Sequence, residues 1–243
     1  MKKTIGLVLA VLLFGYGFAL GKYQVFPYKP LALLKNKLFE RDDGAYTPSP
    51  RYQHKVSFYQ HHALERYDWV FVGDSITEAS DWHELFGDKV VANRGIGGDI
   101  TIGVLNRMDS IINTQAQLAM VMIGVNDVAW GFAVEDIAKR HGQIVTKLQQ
   151  AGMDVMVHAV LQSDGVKVNN AKIRALNERL RQFSERHQLG FLDLNPLLAP
   201  NGYLEPRYSA DGVHLNGLAY KIWAQALTKR LKGTKNSTEN DGL

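Results

Sequence analysis

Three times between residues 68 and 127 a short apolar run ends at or shortly before a glycine, beside small polar side chains. The runs lead into Gly73 and Asp74-Ser75, into Gly95 with Gly97-Gly98-Asp99, and into Gly124 with Asn126-Asp127. Apolar runs this short, bounded by turn residues, read as strands rather than helices. Further runs at 154–161 and 190–194 bring the number of strands to five, and helical stretches at 134–150, 172–187 and after Gly217 to about Leu231 lie among them. Alternation of this kind predicts an α/β fold whose central, mostly parallel five-stranded sheet carries helices on both faces. In open sheets of this class ligands bind beyond the carboxyl ends of the strands, where these polar residues stand.

Each polar group admits two readings. Ser75, at a strand-to-helix turn, is either an N-cap or a nucleophile. The loop Gly95-Ile96-Gly97-Gly98 is either a tight turn or a place where backbone N–H groups approach a ligand, with Asp99 as a cap for the helix after Ile100. It is not a dinucleotide fingerprint, because Ile100 stands where the last glycine belongs, and there is no Walker lysine. Asn126 is a turn residue or a side-chain donor to a developing oxyanion. Asp211 and His214, three apart, are a cap beside a surface histidine or, where the turn is helix-like, a carboxylate that orients an imidazole. They lack the spacing of a metal site. His61 and His62 read as surface residues, His158 as core, and His141 and His187 as lying on polar helix faces.

With 28 basic and 24 acidic residues the formal charge is +4, and the basic residues are too scattered for a nucleic-acid footprint. There is no cysteine, which excludes disulfides and thiolate metal sites. Met1-Lys2-Lys3 precedes an uncharged apolar run over residues 4–21, so residues 1–21 read as a signal-anchor or signal peptide. A basic start of this kind predicts a membrane-anchored or exported protein with its folded part on the extracytoplasmic, periplasmic side. Residues 22–51, with four of the seven prolines, read as a tether with a short helix over 31–39. A helix over 52–67 then opens a folded domain spanning 52–231, and residues 232–243 read as a disordered tail.

Taken together and in this order, Gly73-Asp74-Ser75, the Asn93 to Asp99 loop, Gly124 to Asp127 and Asp211 to His214 resemble the SGNH, or GDSL, hydrolase superfamily of esterases and lipases. The resemblance covers about residues 68–231, and the glycine loop is similar to that of the branch holding platelet-activating-factor acetylhydrolase alpha subunits. It implies a three-layer α/β/α sandwich of flavodoxin-like type. It casts Ser75 as nucleophile, His214 as base and Asp211 as the group that orients His214. The oxyanion hole is implied to comprise the N–H groups of Ser75 and Gly98 with the Asn126 amide, and no metal or organic cofactor is implied. Leu161-Gln162-Ser163 departs from relatives that carry prolines there, which bears on substrate binding. The activity expected is hydrolysis of a short-acyl or acetyl carboxylic ester through an acyl-enzyme, on a small-molecule, lipid or glycan substrate. The alternatives are acyl transfer to a sugar, deacetylation of cell-surface glycans, and a catalytically silent binding domain. Val128, Trp130 and Phe132 are candidates for an apolar wall beside the acyl group. A histidine base predicts activity that falls on acidification. Oligomeric state has no signature in the chain.

Overall fold

Parallel strands cannot be joined by hairpins, so each step from one strand to its neighbour needs a crossover. The computed structural model describes residues 15–17, 22, 46–62 and 66–240, the stretch 234–240 by backbone alone. The chain divides into two compact units, residues 1–40 and 41–243. In the first, residues 15–17 and Lys22 are helical. The expected leader over 4–21 and the helix over 31–39 fall wholly or largely outside the described residues. No helix among the described residues is long and apolar enough to cross a membrane.

In the second unit α1 (Pro50–His61) precedes β1 (Trp69–Gly73), α2 (Ser75–Glu78), α3 (Trp82–Leu85) and β2 (Val91–Gly95). Next come α4 (Thr101–Asn106), α5 (Met108–Ile112), β3 (Leu118–Met122), α6 (Val125–Trp130), α7 (Val134–Gln150) and β4 (Asp154–His158). The chain closes with α8 (Asn170–Arg186), β5 (Gly190–Leu192), α9 (Asn195–Leu198), a 3-10 turn (Pro206–Tyr208) and α10 (Gly217–Asn240). The five strands are all parallel in the order β2-β1-β3-β4-β5. The expected parallel α/β/α architecture is therefore the observed one. Successive residues Val70, Phe71 and Val72 are all buried, as they must be in a sheet covered on both faces. On one face Phe71 stacks on Trp82 at 3.7 Å between centroids, and Trp82 meets Trp223 of α10 edge-on at 5.1 Å. Helices α4, α6, α7 and α8 pack together on the other.

The strands expected over 154–161 and 190–194 end earlier, at His158 and Leu192, and three helices differ more substantially from the sequence pattern. Helix α1 starts at Pro50, with the Ser49 hydroxyl capping the Tyr52 N–H, and ends at His61 instead of Tyr67. Tyr67 joins the main core instead. The helix expected after Ile100 is broken at Arg107, whose backbone leaves helical values at φ −119° as its side chain turns inward. Finally, α10 stays helical to Asn240, beyond the polar shift at Lys232, since extending an existing helix needs no new nucleus.

Candidate active site

The topology creates the site before any side chain does. Going from β1 the chain passes first to β2 on one side and then to β3 on the other, so the crossovers diverge and leave a crevice at the carboxyl ends of β1 and β3. Gly73 is in register with Gly95 on one side and Met122 on the other, so the three strands end level. The segments that follow them carry Ser75, Gly98 and Asn126. Helix α2 presses closely on β2: a Cβ on Gly95 would lie 2.2 Å from the Glu78 nitrogen, a distance no side chain tolerates.

Asp74, not Ser75, is the N-cap of α2, its Oδ1 accepting from the Ile76 N–H at 2.9 Å. Burial, opposed by that hydrogen bond and reinforced by Asp99 and Asp127, pushes the Asp74 carboxyl up to about 7. With capping done by its neighbour, the Ser75 hydroxyl is free to point elsewhere. Its Oγ lies 2.9 Å from His214 Nε2, and His214 Nδ1 lies 2.6 Å from Asp211 Oδ2. With the ring proton on Nδ1, His214 donates to the carboxylate and accepts from the hydroxyl. Asp211 Oδ1 also accepts from the backbone N–H groups of Val213 and His214 at 3.0 and 2.8 Å. Burial works to raise the Asp211 carboxyl, but the His214 ring and these N–H groups outweigh it and hold it well below the usual carboxylate range. Tyr220 in α10 donates to the Ile76 carbonyl at 2.6 Å and ties the histidine side of the site to α2.

Ile96 to Asp99 form a four-residue turn closed by Asp99 N–H to Ile96 C=O at 3.1 Å, with Gly98 in third place at φ +76°. That is the signature of a type II turn, whose third residue needs positive φ and whose central N–H faces outward. The exposed Gly98 N–H has no acceptor among the described residues. Asn126, in the first turn of α6, gives one amide hydrogen to the Asp99 carbonyl at 2.9 Å, which leaves the other available. Asn126 is therefore a helical residue and not a turn residue. Ser75 heads α2, so its own N–H has no acceptor within the helix. A hydroxyl, an imidazole and a carboxylate joined head to tail can pass a proton from oxygen to nitrogen, and outward N–H groups can receive an oxyanion.

Beneath the site lie charges that the apolar pattern gave no sign of. Asp99 does not cap α4; its Oδ2 takes the Arg107 Nε–H at 2.8 Å, both side chains fully buried, and Arg107 Nη2 donates to Gly73 C=O at 3.1 Å. The Thr101 N–H is capped instead by Asp127, which also accepts from the Thr101 hydroxyl. Of the expected apolar wall, Val128 and Phe132 are fully buried, and Trp130 alone is exposed, beside Tyr46 at 6.4 Å between centroids. His61 and His62 are exposed and His158 is core, as expected, whereas His141 is fully buried. Among the described residues no group of acidic or histidine side chains is arranged to hold a metal.

Residues 71–222 match a family model described as the GDSL-like lipase/acylhydrolase family. The chain is 28% identical over 146 residues to N-acylneuraminate cytidylyltransferase of Streptococcus agalactiae serotype V, a match covering 60% of this chain and 34% of that protein. It thus spans about a third of the length of that relative. It is 28% identical over 169 residues to platelet-activating factor acetylhydrolase IB subunit alpha1 of Bos taurus, covering 65% of this chain and 72% of that one. The fold is similar to that of a GDSL-like lipase from Bacteroides thetaiotaomicron, with TM-score 0.66 and 22% identity over 75% of this chain and 98% of that one.

Proposed function

Because the chain belongs to the GDSL-like lipase/acylhydrolase family, we propose that it hydrolyses a short-acyl or acetyl carboxylic ester through Ser75, His214 and Asp211. The observation that carries this reading is the unbroken chain Ser75 Oγ to His214 Nε2 at 2.9 Å and His214 Nδ1 to Asp211 Oδ2 at 2.6 Å. The Ser75 oxygen attacks the ester carbonyl carbon and its proton passes to His214 Nε2, while Asp211 stabilises the imidazolium. The carbonyl oxygen, now negative, takes hydrogen bonds from the N–H groups of Ser75 and Gly98 and from the Asn126 amide. Collapse breaks the bond to the alcohol, which leaves with the proton from Nε2. Water, activated by the same nitrogen, then attacks the acyl carbon, and the acid departs as Ser75 recovers its proton.

The acetyl or short-acyl preference has the support of the match to a protein named for removing an acetyl group. Cytidylyl transfer does not carry over, since the shared segment is about a third of the relative bearing that name. Interception of the acyl-enzyme by a sugar hydroxyl instead of water gives acyl transfer from the same machinery. The apolar leader supports an exported or membrane-anchored enzyme working outside the cytoplasm.

The decisive comparison is wild type against Ser75→Ala with p-nitrophenyl acetate and a fluorophosphonate probe. Wild type turns over and labels at Ser75, and the variant does neither. A wild type that neither labels nor turns over belongs to a silent binding domain, and turnover surviving in Ser75→Ala overturns the assignment of the nucleophile.

A further inference from the structure

We infer that α1 is a positioning element for the oxyanion loop, acting through Glu78, whose carboxylate is held by Arg51 and Lys55 and in turn holds the Gly97 N–H. This rests on the reading of the Gly98 N–H as an oxyanion donor. Glu78 ends α2, three residues after Ser75, and its Oε2 accepts from the Gly97 N–H at 2.7 Å. The same oxygen is 2.8 Å from Arg51 Nη2, and Lys55 Nζ is 3.0 Å from Oε1. Arg51 and Lys55 are four apart on α1, hence on one face of it. The Glu78 side chain is only 11% exposed, so its charge is matched at close range instead of being left to water. Burial works to raise the carboxyl, and Arg51, Lys55 and the Gly97 N–H together bring it below its ordinary value.

The rest of α1 grips the same loop. Tyr59 donates to Gly95 C=O and Tyr52 to Gly103 C=O, each at 2.7 Å. Ile96 is buried in a small cluster with Tyr52 and Tyr59, against which Val56 packs, apart from the main core. Helix α1 thus fixes both ends of the segment 95–103 and, through Glu78, the peptide just before the one that matters.

That peptide is the risk. A four-residue turn has two forms that differ by a half-rotation of its central peptide. In the observed form the Gly97–Gly98 peptide points its N–H outward. In the other form the Gly97 carbonyl takes that place and meets a developing oxyanion with a partial negative charge. Two adjacent glycines make the rotation cheap. Anchoring the Gly97 N–H on Glu78 ties down one side of the rotating unit, while the Asp99 carbonyl is held by Asn126 on the other. Helix α1 lies outside residues 71–222, the segment matched by the family model, and reaches the site through the Glu78 carboxylate.

The test uses p-nitrophenyl acetate and the full chain. Loss of a hole donor costs ~100- to 1000-fold, and partial misdirection costs less, so Glu78→Ala lowers kcat by ~10-fold or more with KM within ~2-fold. Glu78→Gln keeps an oxygen for the Gly97 N–H and retains kcat within ~3-fold of wild type. Arg51→Ala/Lys55→Ala changes only solvent-facing cations and lowers kcat ~3- to 10-fold, which carries the test should Glu78→Ala fail to fold. Wild-type kcat in the double variant together with wild-type kcat or a pure KM effect in Glu78→Ala overturns the inference, while Ser75-dependent turnover still upholds the nucleophile. Turnover that survives Ser75→Ala brings down both.

Discussion

Gly98, proposed as an oxyanion donor, shows how little chemistry such a role asks of a side chain. A Cβ built on it meets nothing within 4 Å, so a methyl group there causes no clash with neighbours. What a side chain opposes is the φ of +76°, at a cost of about 1–2 kcal/mol for an L-residue. The turn can relieve that strain by rotating its central peptide, and the rotation removes the N–H from the site. Gly98→Ala is therefore expected to lower kcat by ~100-fold while stability in urea falls by only about 1 kcal/mol. Gly98→Asn, a residue more tolerant of positive φ, falls between the two. Steady-state kinetics beside urea melts check this, and equal proportional losses of kcat and stability would count against it. The residues at this scale were legible because small polar groups after strand ends have few structural reasons to recur. Their roles were not, because Ser75 on its own stretch reads sooner as a cap than as a nucleophile until Asp74 is seen to take that place.

Elements were legible where one pattern governed them and obscure where charge was buried. β1 and β3 showed as continuous apolar runs because both faces of the sheet are covered, and α7 matched its expected limits because Val134, Ile137, Ile144, Val145 and Leu148 form an apolar stripe at helical spacing. The spacing of that stripe also holds the correction for His141, which stands four after Ile137 and three before Ile144 and so lies on the buried line. No such signal exists for Asp99 and Arg107: an ion pair across elements looks like two surface residues in a sequence. Nor does any mark Arg51 and Lys55, whose partner Glu78 lies in another helix. Arg107 is where α4 gives way to α5, and it joins that junction to the end of β1 through Gly73 C=O and to the glycine loop after β2 through Asp99. Removing one member of a buried pair leaves the other uncompensated, at ~3–5 kcal/mol. Arg107→Met is accordingly expected to lose ~3–5 kcal/mol of unfolding free energy, and Asp99→Asn/Arg107→Met less than the sum of the single changes. Additive losses in a denaturant double-mutant cycle would show that the two side chains act independently.

At the scale of the whole molecule, burial of ionisable groups sets how stability responds to acid. His141 and His158 are fully buried, and among the described residues none of their ring nitrogens has a hydrogen-bond partner. Burial alone pulls His158 down to about 3, and burial is the dominant cause that pulls His141 down to about 4. An unfolded histidine titrates near ~6.5, so below that pH the unfolded chain binds protons that the folded chain refuses. These two residues therefore contribute stability that is whole above about pH 6.5 and is lost as pH falls toward 4 and 3. Asp74 and Asp127 act in the opposite sense. Burial, opposed chiefly by the hydrogen bonds each accepts, raises them to about 7 and about 6, so they favour the folded state as pH falls through those values. The two pairs act in opposite directions over the window between about pH 6 and pH 4. Replacing one buried histidine by an apolar residue of similar size removes one side of that balance. The stability of His158→Phe minus that of wild type is therefore expected to rise by ~1.4 kcal/mol for each pH unit of acidification below ~6.5, whatever the difference at neutral pH. Urea denaturation of both proteins at half-unit steps from pH 7 to pH 4.5 measures the slope, and a pH-independent difference would mean that the ring at this position already takes up its proton in the folded state.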